Sequence, residues 1–325
     1  MKSHDYPLSL IRLLSLCSIV LCHILSYYGN ELSYWFNVGT QVFLCISGYL
    51  YGQKEIKDCK SFYIRRFKKI LTPFYIVLIP ALILNLLAGK IDVFTALRSL
   101  LMNATVEGGG HLWFVPTILF CYVITPILYS FFNGSKRRSF IAVTVLGIQI
   151  ITLFCLGFAS FYPGPWISCY LIGYAIGYNE KELLYKRKHI LICFALLAAM
   201  NILQIYIDYG LHMQLTGIVG KIYVYWKNFN HVWLGIFLFC SLKWLFERIP
   251  FNTNLEKVLD VTDYYSYETY LVHQFIILGP FSLLGVSPFL VANLVIVFAS
   301  IFILAWVAKK AEKIIQHFSP NMVVS

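Results

Sequence analysis

The chain has 325 residues, of which 59% are hydrophobic and 13% are charged, against roughly 45–50% and ~25% in soluble globular domains. This composition excludes a disordered chain and an ordinary soluble enzyme, because too little polar surface is available to cover the apolar side chains. The net charge of +11 does not indicate a nucleic-acid-binding protein, since the basic residues lie between apolar stretches and form no continuous face. The composition therefore predicts an integral membrane protein.

Ten stretches have the length and apolar character of a membrane-spanning helix, which needs ~20 residues. They are residues 8–28, 34–52, 70–88, 112–132, 139–158, 162–178, 189–208, 229–246, 265–284 and 286–307. The segments between them are short, so we expect one membrane domain over residues 1–325, with no soluble domain and no cleaved signal peptide. The predicted fold class is an all-α integral membrane protein with ten transmembrane helices.

The basic residues agree with ten helices and with both termini in the cytoplasm. In that orientation 21 of the 26 Lys and Arg residues lie on the inner side and four on the outer side, as expected from the enrichment of cytoplasmic loops in positive charge. Two longer outer segments, residues 89–111 and 209–228, are either lids over a cavity or interfacial loops with aromatic anchors. The sequence predicts a multi-pass protein of the plasma or inner membrane.

Ionisable side chains inside a spanning helix are costly and mark candidate functional sites. The first predicted helix contains two, Arg12 and His23, and their spacing places them on one face, ~16 Å apart along the axis. Taken alone, Arg12 is equally typical of a side chain that extends to the interface, and His23 of a buried packing histidine. Their alignment favours a polar path into the membrane.

A basic cluster, formed by Arg65, Arg66 and Lys69, lies where the third predicted helix enters the membrane. Such clusters usually contact anionic lipid head groups, although guanidinium groups also bind the phosphates of a soluble ligand. By itself the cluster favours lipid contact.

Other predicted helices carry polar or small residues that need partners inside the protein. Gly48, and the pair Gly173 and Gly177, indicate close helix packing. Six further candidate site residues are Ser47, His111, Trp113, Glu268, Tyr270 and His273.

In this order and on ten helices, these motifs resemble those of the membrane-bound acyltransferase family 3, bacterial O-acyltransferases that modify surface polysaccharides and related glycans. The resemblance extends from residue 8 to about residue 307. It implies that His23 is the histidine essential for transfer, that Arg12 is its paired basic residue, and that the basic cluster receives the nucleotide of acyl-CoA. Lys69 departs from the family, in which Arg is common there, and a lysine lacks the bidentate geometry for phosphate.

The resemblance further implies transfer of an acyl group, expected to be acetyl, from cytoplasmic acyl-CoA to a hydroxyl of a cell-surface glycan or its lipid-linked precursor. His23 would act as general base or, in a less favoured variant, as a nucleophile that forms an acyl-imidazole. His111 and Trp113 would lie on the acceptor side, and the other candidates would line the cavity. We expect acyl-CoA as co-substrate with no bound cofactor or metal, and the bilayer, the glycan and glycan-assembly proteins as partners.

Two other functions fit the same residues. One is a membrane transporter or exporter of a small metabolite or a glycan, because intramembrane charges also serve transport. The other is a structural subunit of a glycan-assembly complex, in which His23 would be dispensable. CoA-dependent labelling of a glycan distinguishes the enzyme from the transporter.

Overall fold

The computed structural model describes residues 4–104, 106–132, 166–178, 187–211 and 215–318. Within these ranges the chain is helical and contains no β-strand. It also contains a 3₁₀ turn (Gly110–Trp113) and a π turn (Tyr206–Gly210). The α-helices are α1 (Tyr6–Tyr27), α2 (Ser33–Phe36), α3 (Gly39–Gly52), α4 (Cys59–Leu87), α5 (Val93–Leu100), α6 (Phe114–Phe132), α7 (Ile167–Tyr178), α8 (Arg187–Ile205), α9 (Gly217–Phe246), α10 (Thr253–Ile277) and α11 (Leu290–Phe318).

Five helical segments of the described residues are long and apolar enough to cross a membrane. They are α1, α4, the 3₁₀ turn together with α6, α9 and α11. The prediction of an all-α membrane protein is therefore confirmed, whereas ten spans and cytoplasmic termini stay predictions. The helix predicted over residues 139–158 lies outside the described residues, as does the start of the one predicted over 162–178.

Three helices begin about three turns earlier than their apolar stretches predict. The helix α4 begins at Cys59 instead of residue 70, α9 at Gly217 instead of 229, and α10 at Thr253 instead of 265. Hydropathy marks only the part of a helix suited to the bilayer, whereas backbone hydrogen bonding continues through the polar turns before it. Much of the outer segment predicted over residues 209–228 is for this reason the start of α9.

The charged start of α4 is fixed by a side-chain cap. The carboxylate of Asp58 accepts a hydrogen bond from the backbone N–H of Ser61 (2.8 Å), which satisfies one of the unpaired amide groups at the helix start. Hydrogen bonds from the Ser61 side chain and backbone lower the pKa of Asp58. The cap explains why the helix begins before the basic cluster and carries it as an ordered surface.

Two other predicted boundaries are wrong. The helix predicted over residues 34–52 is divided into α2 and α3, and the carbonyl of Phe36, at the break, accepts a hydrogen bond from the hydroxyl of Ser18 (2.7 Å). The helix α10 ends at Ile277 instead of 284, because Gly279 has a left-handed backbone (φ 86°) and Pro280 follows, and both residues end helices.

The chain divides into two compact units, each built from three segments. The first unit comprises Met1–Ser15, Val38–Glu55 and Ile124–Asn252. The second unit comprises Leu16–Asn37, Ile56–Val123 and Thr253–Ser325. The helices α3, α7, α8 and α9 therefore belong to the first unit, and α4, α5, α10 and α11 belong to the second.

In the first unit, α3 and α7 pack backbone against backbone through glycines. A Cβ atom on Gly48 would lie 2.0 Å from the carbonyl oxygen of Tyr170, and one on Gly173 would lie 2.3 Å from that of Cys45. A Cβ atom on Gly177 would likewise clash with the backbone of α3. Such contact between small residues is a means by which membrane helices associate. The packing predicted for these glycines is confirmed.

In the second unit, α1, α10 and α11 pack around one apolar cluster. Its buried members are Val20, Ile24, Val272, Ile277, Leu284, Val297, Ile301 and Ala305. Because Val20 and Ile24 lie on either side of His23 in the sequence, while Val272 precedes His273, this cluster holds the two histidine-bearing segments together.

The outer segment at residues 89–111 includes the short helix α5, which lies on α4. The hydroxyl of Tyr75 donates a hydrogen bond to the carbonyl of Leu100 (3.0 Å), and Ser99 is buried. The opposite face of α5 exposes Phe94 and Leu97. An amphipathic segment with an exposed apolar face is typical of a membrane interface, which favours the interfacial interpretation over a lid.

We predict that Gly48→Ala or Gly173→Ala lowers the free energy of unfolding of the detergent-solubilised protein by about 1–3 kcal/mol, because the added methyl group forces α3 and α7 apart. The thermal unfolding midpoint measures the effect. Ile172→Val is the matched control, since it changes one carbon at a half-buried position of α7. Glycine variants as stable as this control would contradict the packing.

Candidate functional site

Three histidines from separate segments of the second unit come together. His23 lies on α1, His111 on the 3₁₀ turn and His273 on α10. The ring centroid of His273 is 5.1 Å from that of His23 and 4.7 Å from that of His111, and the latter two are 6.4 Å apart. We call these residues the histidine cluster. All three are residues that the sequence predicts for the site.

The ring of His111 is held by hydrogen-bond acceptors on both sides. The amide oxygen of Gln274 accepts from the backbone N–H of His111 and lies 2.6 Å from its Nδ1, while Nε2 lies 3.0 Å from the carbonyl oxygen of Leu271. The hydroxyl of Tyr270 donates to the carbonyl of His111. A neutral imidazole has one N–H and one lone pair, so His111 donates to only one of these two oxygens. Neither ring nitrogen is directed at a substrate, and His111 forms a fixed wall of the cluster.

The loop that precedes His111 makes a tight backbone contact with the residues that follow α10. Gly108 has φ 76°, and a Cβ atom there would lie 2.7 Å from the carbonyl oxygen of Leu278. Gly279 has φ 86°, and its Cβ atom would lie 2.7 Å from the backbone of Gly108. Only glycine combines this conformation with so close an approach. The loop before His111 is thereby fixed to the end of α10.

His273 is completely buried. The hydrogen-bond partner of one ring nitrogen determines which nitrogen carries the proton. Its Nδ1 lies 2.6 Å from the carbonyl oxygen of Tyr270. Because a carbonyl oxygen can only accept, Nδ1 carries the proton and Nε2 keeps its lone pair. In the described part of the chain no residue donates a hydrogen bond to that Nε2. His273 therefore presents an unengaged acceptor inside the cluster.

His23 differs from the other two histidines in its accessibility. It is half-buried, and its ring packs at an angle of 37° against His273 and 66° against His111. Among the described residues its ring nitrogens have no hydrogen-bond partner. His23 is thus the member of the cluster whose ring is partly accessible and whose ring nitrogens are available to a substrate.

Glu268 forms an ion pair in the structure. Its Oε1 lies 2.9 Å from the Nζ of Lys309, which also binds the Oε2 of Glu312 at 2.8 Å. Glu268 is only 1% exposed, so this ion pair fixes α10 to α11. The acid predicted to line the cavity has its strongest contact with the neighbouring helix.

Trp113 lines a small apolar cavity together with Phe74, Leu78 and Leu112. The cavity has a volume of about 20 Å³, enough for one water-sized group. A sugar ring does not fit into it, so stacking of Trp113 on an acceptor sugar would need another face of the indole.

Two contacts relate α4 to α10. The hydroxyl of Tyr267 donates to the carbonyl of Ile70 (3.1 Å), which places these two residues at one level. Val77, further along α4, packs against the apolar cluster that contains Val272, further along α10. We infer from these contacts that α4 and α10 run in the same direction, so that Ile70 and Tyr267 give a shared level from which residues can be counted along both helices.

This alignment gives the separation between the basic cluster and the histidine cluster. Arg65 lies five residues before Ile70, and His273 lies six residues after Tyr267. At 1.5 Å per residue the two clusters are ~16 Å apart along the helices. Arg65 and Lys69 are both exposed, and their spacing of four residues puts them on one face of α4.

Arg12 and Ser47 belong to the first unit, and both are half-buried. The helix α1 is unbroken from Tyr6 to Tyr27. The predicted separation between Arg12 and His23 stays a prediction, because the two residues belong to different units.

Gln274 is the site residue that the sequence analysis missed. It adjoins His273 in an otherwise apolar stretch, and a glutamine in a membrane helix needs a partner within the protein. That signal could have identified it as polar and buried. Its partner, His111, is 163 residues away in the sequence, and no local pattern reveals such a contact.

The histidine cluster does not have the geometry of a metal site. No group of three or more His, Cys, Asp or Glu side chains that could hold a metal ion occurs among the residues the structure describes.

The comparisons with known proteins identify the family. The model of the acyltransferase family 3 domain, described as an acyltransferase domain, matches residues 5–310. No curated protein and no solved structure shows significant similarity to the chain. The match runs through both units and includes every member of the histidine cluster. The chain therefore belongs to acyltransferase family 3 and is a membrane acyltransferase.

Proposed function

We propose that the protein transfers an acetyl group from cytoplasmic acetyl-CoA to a hydroxyl of a cell-surface glycan or its lipid-linked precursor. The observation that carries this proposal is the histidine cluster, in which a half-buried His23 with free ring nitrogens adjoins two fixed imidazoles. An accessible neutral imidazole is the group best suited to take a proton from a hydroxyl at neutral pH.

The basic cluster supports a nucleotide-linked donor. Arg65 and Lys69 form an exposed pair on α4, and guanidinium and ammonium groups bind phosphates. The separation of ~16 Å between this pair and the histidine cluster is close to the length of an extended pantetheine arm. A donor held by its phosphates at the basic cluster would bring its thioester to His23.

In the proposed reaction His23 takes the proton of the acceptor hydroxyl as the oxygen attacks the thioester carbonyl. The C–S bond then breaks, and the CoA thiolate takes the proton from the imidazolium. In this proposal His111, which is held in place by Gln274, packs against the reacting groups and positions them. Positioning of this kind and general-base help each lower the barrier, the latter by ~10²–10⁴ in rate.

We predict that His23→Gln lowers kcat for glycan acetylation by about 10²–10⁴, because an amide forms hydrogen bonds but does not take a proton. The Kd for acetyl-CoA should change little, since the phosphate contacts are unaffected. Transfer of radiolabelled acetyl groups from acetyl-CoA to glycans, in membranes with and without the protein, measures the rate.

His317→Gln is the control, because His317 is exposed on the last turn of α11 and should retain full activity. Retention of more than a tenth of the wild-type rate by His23→Gln would contradict the general-base role. Glycan movement across the membrane without acetyl transfer by the wild type would contradict the proposed reaction itself.

The double variant Arg65→Ala/Arg66→Ala should raise the KM for acetyl-CoA at least about tenfold, since each lost charged hydrogen bond costs ~1.5–3 kcal/mol. Lys69→Arg should be tolerated. Lys60→Ala, which removes an exposed charge from the first turn of α4, is the matched control and should leave KM unchanged. If the double variant inserts poorly into the membrane but has a normal KM for acetyl-CoA, the basic cluster binds lipid head groups and not the donor.

Ten spans with cytoplasmic termini place Lys57 inside and Lys90 outside, and both residues are exposed. We expect Lys90→Cys to react with a membrane-impermeant maleimide in intact cells, and Lys57→Cys to react only after permeabilisation. The background should carry Cys17→Ser and Cys59→Ser, because both native cysteines are exposed. Labelling of Lys57→Cys from outside would reverse the topology.

A further inference from the structure

His273 has the hydrogen-bonding pattern of a residue that orients another group. Its Nδ1–H is committed to the carbonyl of Tyr270 (2.6 Å), which fixes the ring and its tautomer. Its Nε2 keeps a lone pair and is fully buried. An unsatisfied buried acceptor is destabilising, so a donor that reaches Nε2 is strongly favoured.

Among the described neighbours of His273, one ring remains that can supply this donor. His111 lies closest, at 4.7 Å between centroids, but its ring nitrogens already face the oxygens of Gln274 and Leu271. His23 is 5.1 Å away and has both ring nitrogens free among the described residues. A rotation of the half-buried His23 side chain would direct one of its nitrogens at His273.

We propose that Nε2 of His273 accepts a hydrogen bond from the ring N–H of His23 when the acceptor is bound, and thereby orients the base. This inference rests on the proposed role of His23. With one His23 nitrogen bound to His273, the other must carry the lone pair, and it faces the acceptor hydroxyl. His273 is a positioning residue, because it acts through His23 and does not touch the reacting atoms.

The proton balance of the reaction follows from this arrangement. The hydroxyl proton moves to the free nitrogen of His23 as the new O–C bond forms, and it leaves to the thiolate when the C–S bond breaks. His273 keeps its own proton on Nδ1 throughout and stabilises the transient imidazolium of His23 through the second N–H. An alcohol and acetyl-CoA thus give an ester and free CoA without net proton release.

Two polar substitutions test the two ring nitrogens of His273 independently. The amide of His273→Asn reaches the position of Nδ1 and can donate to the carbonyl of Tyr270, but it offers no acceptor at the position of Nε2. The longer amide of His273→Gln places an oxygen near Nε2. Both variants have similar polarity, so a comparison between them isolates the acceptor that faces His23.

We predict that His273→Asn lowers kcat by about 10², the scale of a misplaced catalytic group, with the KM for acetyl-CoA unchanged. His273→Gln should retain at least about tenfold more activity than His273→Asn, because it restores the acceptor. Val272→Ala is the structural control, since it weakens the packing of α10 and should lower the unfolding temperature without this selective loss of kcat. Equal rates for the Asn and Gln variants would overturn the proposal.

A double variant provides the second test. If His273 acts through His23, His23→Gln/His273→Asn should be no slower than His23→Gln alone, because the orienting contact has nothing left to orient. Multiplied losses would show that His273 has an independent, structural role and would overturn the inference. An active His23→Gln variant is a different result, since it contradicts the proposed base and not the pairing alone.

Discussion

The amide oxygen of Gln274 accepts a hydrogen bond from the backbone N–H of His111 and lies 2.6 Å from its ring Nδ1, and the geometry of the histidine cluster depends on this contact. It connects α10 to the turn before α6 and leaves neither ring nitrogen of His111 directed at a substrate. In a membrane interior, where water does not satisfy polar groups, such contacts have to be made within the protein. Once His111 is fixed, His273 beside Gln274 is fixed with it, and only His23 remains adjustable.

Both units combine close packing with directional contacts between helices. In the first unit, backbones meet at Gly48 and Gly173, and Asn230 on α9 donates a hydrogen bond to Gln204 on α8 (2.9 Å). In the second, the pairs formed by Glu268 with Lys309 and by Gln274 with His111 add directional contacts to the apolar cluster. Lipid tails are as apolar as a leucine side chain, so apolar contacts alone do little to determine which helices pack together. The directional contacts therefore specify the arrangement where the chemistry takes place.

The sequence predicts the helical class and the members of the histidine cluster, because spanning helices and intramembrane ionisable groups have strong local signals. It does not predict where α4 or α10 begins, since helical hydrogen bonding continues beyond the apolar stretch. It predicts Glu268 on a cavity wall, and it does not reveal the ion pair of Glu268 with Lys309 on α11. That pairing, like the contact of Gln274 with His111, joins residues far apart in the chain, and periodicity within one helix carries no information about it.

A structure of the protein with a non-hydrolysable acetyl-CoA analogue tests the central claim most directly, namely that the histidine cluster receives a thioester from a donor anchored at the basic cluster. The account predicts phosphates at Arg65 and Lys69, and a carbonyl carbon within the near-attack range, ~3–3.5 Å, of an acceptor oxygen bound to His23. An analogue whose thioester lies away from the histidine cluster, with its phosphates on another part of the surface, would contradict the account.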